Sequence, residues 1–306
     1  MAKANQFRLT GVAAAALALA SCKSSDPSAQ ASQGAAKPSK PDSSAVVFVA
    51  SVRPIAALAC DLVGEPCTAV ALVPPGASAH SWEPKPSDLV LLQGATAYLQ
   101  VGLEFEHSWI PRFQSTVADL RVLDLSGASD LSGHEEGHPH RGEEPEADPH
   151  VWSSPRALKL LLGVLGEQIV RSRPDLETRV TKGLVVQRKR LDALDSVARQ
   201  ELARFSGRTF LINHPGLGYF ARDYGLIQRP LESHGREMTP VMMFEIRKTA
   251  SSQGIRAVFV QPESSPVVAT QVASELGVPV VEVDLLGTEP YDTLFLRMVH
   301  RMAGSL

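Results

Sequence analysis

From residue 45 onward, apolar and polar positions follow a repeated pattern: a short apolar run, a turn carrying Gly or Pro, then helical spacing. Short, mostly apolar runs predict strands at 45–51, 67–73, 97–101 and 121–125. Helical spacing falls between them at 54–63, 88–93 and 105–118. The alternation returns later, with strands predicted at 209–213, 226–231, 257–261 and 278–283 and helices at 217–224, 240–252, 266–276 and 290–302. Repeated β-α order implies parallel sheets covered by helices. Between the two sets, Ser154-Pro155 opens a helix to 171 with a capping hydroxyl and a first-turn Pro. A longer helix follows over 174–203, in which Leu176, Val180, Leu184, Leu191, Leu194, Val197 and Leu202 recur at helical spacing. Thirty residues of helix span about 45 Å, enough to cross a protein of this size. Gly183 costs about 1 kcal/mol there relative to Ala and does not stop the helix. A coiled-coil dimer is the alternative, but the heptads are imperfect. The fold class expected is α/β: two (β/α)4-type lobes, 45–173 and 205–306, joined by one long rigid helix, 174–204, in a monomer.

The length of 306 residues fits two lobes, and an apolar content of 44% suffices for ordinary cores. A net charge of −3 leaves no basic footprint for nucleic acid, and 6% aromatics argue against a base-stacking surface. The amino terminus changes the picture. Lys3 and Arg8 precede an apolar run over 9–20, too short to cross a bilayer and suited to a signal-peptide core. Leu19-Ala20-Ser21-Cys22 resembles the bacterial lipobox, which implies a signal peptide over 1–21 and lipidation of Cys22. An ordinary secretion signal is the alternative. Residues 23–44 lack large apolar side chains and read as a flexible tether. No other stretch could span a membrane, so the folded part is expected outside the cytoplasm, as a periplasmic or cell-surface lipoprotein held to the membrane by its anchor. That compartment permits a Cys60–Cys67 disulfide; two buried thiols are the alternative.

Candidate chemistry lies on turns. His214 follows the apolar run 209–212 and precedes Pro215-Gly216, which places it at the carboxyl end of a strand, where open α/β sheets bind ligands. His80 follows 70–73 and a stiff loop rich in Pro, His150 follows Asp148-Pro149, and Asp284 ends the strand at 278–283. Each alone could cap a turn or sit on the surface. Three imidazoles and one carboxylate shared between two lobes suit zinc, whereas magnesium and calcium prefer oxygen shells. Coordination shared across the cleft would hold the lobes closed. Ligand imidazoles must be neutral, so metal should leave as pH falls toward about 6.5 and below. His107 and His300 read as helix-face residues and His234 as a loop residue near the cleft. The segment 133–149 holds His134, His138 and His140 among acidic residues. It is either a weak metal-collecting loop or a charged insertion without a role.

Several motifs together carry a resemblance: Val73-Pro74-Pro75-Gly76 through His80-Ser81-Trp82-Glu83-Pro84-Lys85-Pro86-Ser87-Asp88, Gly102-Leu103-Glu104-Phe105-Glu106 before Trp109, Asp148-Pro149-His150-Val151-Trp152, Asn213-His214-Pro215 with Tyr219-Phe220 and Tyr224-Gly225, and Asp284-Leu285-Leu286-Gly287. The chain resembles the metal-binding lipoproteins that serve ABC importers of the zinc/manganese type, along essentially the whole mature protein. The resemblance implies two α/β lobes on one long helix, metal in the cleft, His80, His150, His214 and Asp284 as ligands, and delivery to a permease with its ATPase. A histidine rather than a glutamate at the third position implies zinc, with manganese or iron as the alternative cargo. Ala79 stands where some zinc members carry a glutamate, which leaves Asp284 as the expected carboxylate. Two other classes compete. A zinc hydrolase needs an open coordination position and a base, and the chain has no HExxH helix. A surface adhesin would use the metal structurally.

Overall fold

The computed structural model describes residues 45–130, 148–231 and 239–306. The lipobox with Cys22, the tether, His134, His138, His140 and His234 lie outside them. The first lobe begins with Val46–Ala50 (β1), whose apolar run lies almost wholly in the core. Arg53–Val63 (α1) follows, with Pro54 in its first turn, where an N–H has no helical partner to lose. Cys67–Ala71 (β2), Pro86–Leu92 (α2), Ala97–Gln100 (β3), Glu104–Thr116 (α3), Val122–Asp124 (β4) and the short Gly127–Asp130 (α4) complete the order. The four strands are parallel, in the order β2-β1-β3-β4. All expected strands are present, with ends trimmed by one to three residues. Only α4 and a single turn of 3-10 helix at Val151–Ser153 carry no periodicity long enough to read.

The carboxyl edge of this sheet is fixed by Glu106, which is fully buried. It accepts from the backbone N–H groups of Val101, Gly102 and Leu103 at 3.0, 2.7 and 3.0 Å, from Tyr98 at 3.0 Å, and from the Ser51 hydroxyl. One carboxylate thus caps α3 and ties the ends of β1 and β3 together. Burial pushes its carboxyl upward, and the donors from Ser51 and the backbone oppose that push. Cys60 and Cys67 form a disulfide between α1 and β2.

Pro155–Ser172 (α5) is capped by Ser154, whose hydroxyl accepts from Arg156 N–H. Glu177–Leu202 (α6) is the 26-residue bridge, extended at each end by a 3-10 turn. It packs on α5 and α1 and, at its other contact, on the final helix Tyr291–Ser305 (α10). Gly183 has a packing reason that periodicity cannot reveal. A methyl there would lie 1.8 Å from the Leu62 carbonyl oxygen, so its lack of a side chain lets α6 seat directly on α1.

The second lobe runs Thr209–Ile212 (β5), Gly218–Asp223 (α7), Ile227–Pro230 (β6), Pro240–Gln253 (α8), Val258–Val260 (β7), Val267–Leu276 (α9) and Val280–Glu282 (β8), then α10. Its parallel sheet has the order β6-β5-β7-β8, which repeats the first lobe with one strand crossing over. The two sheets share one compact unit. Direct ties join the lobes. Tyr219 donates to the Asp148 carbonyl at 2.5 Å, Tyr291 to the Trp152 carbonyl at 2.9 Å, and Ser154 to Asp223 at 2.5 Å. Arg190 of α6 holds Asp61 of α1 and Asp292 of α10 at 2.5 and 2.7 Å.

Candidate metal centre

Three loops at sheet edges deliver three imidazoles to one point. His80 lies on the turn after β2, begun by the Ala77 N–H to Pro74 C=O bond, with its own N–H donating to Ser78 Oγ at 3.3 Å. His150 directly precedes the 3-10 turn that leads into α5. His214 follows β5. The fully buried Asn213 fixes its base: its N–H donates to the Phe259 carbonyl, and its Oδ1 accepts Gln261 N–H at 3.0 Å. Asparagine is needed there because its side chain bonds both to and from the backbone after β7.

The ring nitrogens converge. His80 Nε2 and His214 Nε2 lie 3.1 and 3.2 Å from His150 Nε2. One donor atom from each of the three histidines falls within 4.8 Å of the others. Nitrogens on a tetrahedral zinc at about 2.0–2.1 Å stand about 3.3 Å apart, and the two distances to His150 Nε2 are close to that. Asp148, fully buried, orients the central ring. Its Oδ1 accepts from His150 N–H at 2.8 Å and from His150 Nδ1 at 2.7 Å. That hydrogen bond places the proton on Nδ1 and turns the Nε2 lone pair toward the other two rings. Gly216 permits the close approach of the second lobe. A methyl there would lie 2.8 Å from Gln261 Nε2 and 3.3 Å from His150 Cδ2.

The electrostatics favour neutral rings. Burial, then His150, lowers His80 to about 4, with Asp148 partly opposing; burial, then His150 and His80, lowers His214 to about 2. Neutral imidazole is the form that binds metal, so the site is prepared for a cation at neutral pH.

Asp284 is not in this cluster. Its Oδ1 accepts the N–H groups of Leu286 and Gly287 at 2.8 and 2.9 Å, and its Oδ2 lies 2.6 Å from where a methyl on Gly287 would sit. The carboxylate is folded over its own turn. His107 and His300 lie exposed on α3 and α10, and His300 bonds the Leu296 carbonyl within its helix. Reading the sequence missed Asp148 as the orienting carboxylate, although it stands in the quoted Asp148-Pro149-His150 motif; a carboxylate two residues before a candidate ligand was the available signal. Gln261 and Glu263, on the loop after β7, carry no local signal: the Gln261 amide lies against Gly216 and donates to Glu263 Oε1 at 3.3 Å.

Residues 48–306 match the family described as zinc-uptake complex component A, periplasmic. The high-affinity zinc uptake system protein ZnuA of Bacillus subtilis (strain 168) is 26% identical over 216 residues, 67% of each chain. The zinc-binding lipoprotein AdcA of Streptococcus pneumoniae serotype 4 is 24% identical over 242 residues, 76% of this chain; the matched part spans 48% of AdcA, about half its length. A crystal structure of ZnuA superposes with a TM-score of 0.77 at 26% identity, covering 85% of this chain and 99% of that one. A zinc-bound deletion mutant of ZnuA gives 0.76 at 26% identity, covering 85% and 98%. The match extends over more than half of the chain, and the chain belongs to the family of periplasmic component A proteins of zinc-uptake complexes.

Proposed function

We propose that this protein captures zinc outside the cytoplasm and hands it to the permease of an ABC importer, with His80, His150 and His214 as nitrogen ligands. The observation that carries the reading is the convergence of three imidazoles from both lobes, with His80 and His214 Nε2 3.1 and 3.2 Å from His150 Nε2 and all three donor atoms within 4.8 Å of one another. Relatives named for zinc uptake and zinc binding support zinc as cargo. Manganese is the secondary cargo, disfavoured because three imidazoles form a nitrogen-rich shell and manganese suits carboxylate and water.

The family is one of substrate-binding components, which favours a receptor over a hydrolase. No helix among the described residues is long and apolar enough to cross a membrane; the lipobox-like Leu19-Ala20-Ser21-Cys22 supports a lipid anchor at Cys22 in this reading. Zinc content after purification without added metal, with chelator competition on the wild type and His214→Ala, tests it. The receptor reading expects one tight zinc per chain, lost in the variant together with zinc uptake in cells. Tight zinc that persists in His214→Ala, or no tight zinc in the wild type, overturns it.

A further inference from the structure

A cavity of about 220 Å³ lies between the lobes, and none of the three imidazoles lines it. Its apolar wall is built from Ala57 and Leu58 of α1, Leu158 of α5, Leu191 of α6, Leu285 after β8 and Leu294 of α10. The first lobe, the bridge and the second lobe each contribute a side. Small-molecule sites favour such junctions, and they pair apolar walls with a few placed polar groups. A dry cavity of about 150 Å³ admits benzene, so this one has room for a single ring with a small substituent.

The polar groups on the wall differ in what they have left to give. Arg190 is engaged on all sides: its Nε donates to both Asp292 oxygens at 2.9 and 2.7 Å, and its Nη1 to Asp61 at 2.5 Å and to Gln187 Oε1 at 3.1 Å. Glu289 is paired with Arg297 at 2.5 Å. The Tyr291 hydroxyl donates to the Trp152 carbonyl at 2.9 Å. Arg53 is different. It opens α1, whose first turn holds no acid, and its guanidinium has no ion pair or hydrogen bond among the described residues. Arg53 and Asp61 lie eight residues apart on the same helix, about 12 Å, so the free cation and the satisfied ion cluster mark opposite ends of the cavity. A cation finds no open acid there, because Asp61 and Glu289 already hold arginines. A carboxylate finds a planar guanidinium able to take it through two N–H groups, with leucines behind it for an apolar body.

We propose that this cavity binds a small monocarboxylate with an apolar body the size of one ring, its carboxylate held by Arg53, and that its occupancy tightens zinc binding. The walls make the connection. Tyr291 bonds to Trp152, two residues after His150, and Leu285 and Gly287 belong to the turn that Asp284 caps. An occupant touching both lobes and the bridge favours the arrangement in which the imidazoles meet, and by linkage zinc raises the occupant's affinity by the same factor. This second part rests on the three-histidine reading above. The test is calorimetric titration of the full chain with benzoate and with uncharged benzamide, on the wild type, Arg53→Gln and Ala57→Leu, alongside chelator competition for zinc with and without benzoate. Benzoate, with about nine heavy atoms, is expected to bind the wild type at about 1 mM or tighter. Arg53→Gln should weaken benzoate by about ten- to hundredfold, the worth of a charge-assisted contact, and leave benzamide within about threefold. Ala57→Leu, which fills the cavity, should weaken both. Saturating benzoate should raise zinc affinity by about fivefold or more in the wild type and not in Arg53→Gln. No benzoate binding at about 10 mM, or benzoate binding that Arg53→Gln leaves unchanged, overturns the site. Arg53-dependent benzoate binding with zinc affinity unmoved overturns the linkage alone. A wild type without tight zinc overturns the three-histidine reading, while Arg53-dependent benzoate binding would still uphold the cavity.

Discussion

Replacing Asp148 by Asn separates what a charge does in the metal centre from what a hydrogen bond does. Asp148 Oδ1 accepts both the backbone N–H and Nδ1–H of His150. Asn offers a carbonyl oxygen in the same place, so the tautomer and the ring orientation survive. The charge is lost. A carboxylate one imidazole away from a zinc ion sits about 6–7 Å from it, and at an effective dielectric of about 20 the attraction is about 5 kcal/mol. The asparagine dipole and relaxation recover much of that. Orienting carboxylates of this kind contribute about 10–100-fold in metal affinity, or about 1.4–2.7 kcal/mol. The expected outcome for Asp148→Asn is a loss in that range by chelator competition, with the zinc-free melting temperature nearly unchanged. Asp148→Ala should add a fold penalty, because two donors next to a buried ring lose their acceptor at about 1–3 kcal/mol each. Zinc affinity in Asp148→Asn equal to wild type would refute the argument that the charge on His150's partner tunes the site.

Other outcomes follow from the same structure. Gly183→Ala should destabilise the protein by about 1–3 kcal/mol or more in denaturant unfolding, although helix propensity alone favours Ala by about 1 kcal/mol; a stabilised variant would mean that α6 does not press on Leu62. Zinc release should begin below pH 6.5 and continue toward 4, because His80 and His214 bind protons only well below the ordinary imidazole range; a chelator titration with its midpoint at 6.5 would contradict this. The sign in the zinc-free protein is the same. A folded imidazole value depressed below the unfolded one leaves these two groups without penalty above about 6.5. Their contribution to stability is then lost as pH falls toward the folded values. Glu263, raised to about 7, acts oppositely: its contribution is present below about 4.5 and is lost as pH rises through 7. A Cys60→Ser, Cys67→Ser double variant should lose about 2–2.5 kcal/mol in the chain-entropy picture for so short a loop, read as a lower melting temperature that reductant does not lower further.

The elements were legible because period and punctuation agree. β1, β3 and β5 are mostly buried apolar runs, β3 and β5 soon followed by Gly102 and Pro215, and α5 opens with Ser154-Pro155, a cap and a first-turn Pro. The imidazoles were legible for a related reason: each stands beside such punctuation, His80 after Pro74-Pro75-Gly76, His150 after Pro149 and His214 before Pro215-Gly216. What stayed hidden depends on contacts distant in sequence. Gly183 reads as a weak point in a helix until Leu62, far earlier in the chain, is found against it. Asp284 reads as a ligand from its place after a strand. That its Oδ1 accepts the N–H groups of Leu286 and Gly287 in its own turn is not written in any local pattern.

The lobe interface changes what the ion is needed for. If coordination alone held the lobes together, part of its free energy would be used to close the cleft. The structure brings the three imidazoles into register through contacts of the protein itself: Tyr219 on Asp148, Tyr291 on Trp152, Ser154 on Asp223, and Arg190 between α1 and α10. Two of these ties end on or beside the residues that carry and orient His150, so the same bonds that fix the lobes also fix the central ligand. Preorganisation of this kind lowers the ordering cost of binding and raises affinity without any added contact. It also disfavours a metal that needs a wider or larger shell, because the nitrogens cannot spread without breaking bonds between the lobes. The zinc-free protein should therefore keep the radius of gyration of the loaded one in small-angle scattering. An expansion of several ångströms on chelation would return the closing role to the ion.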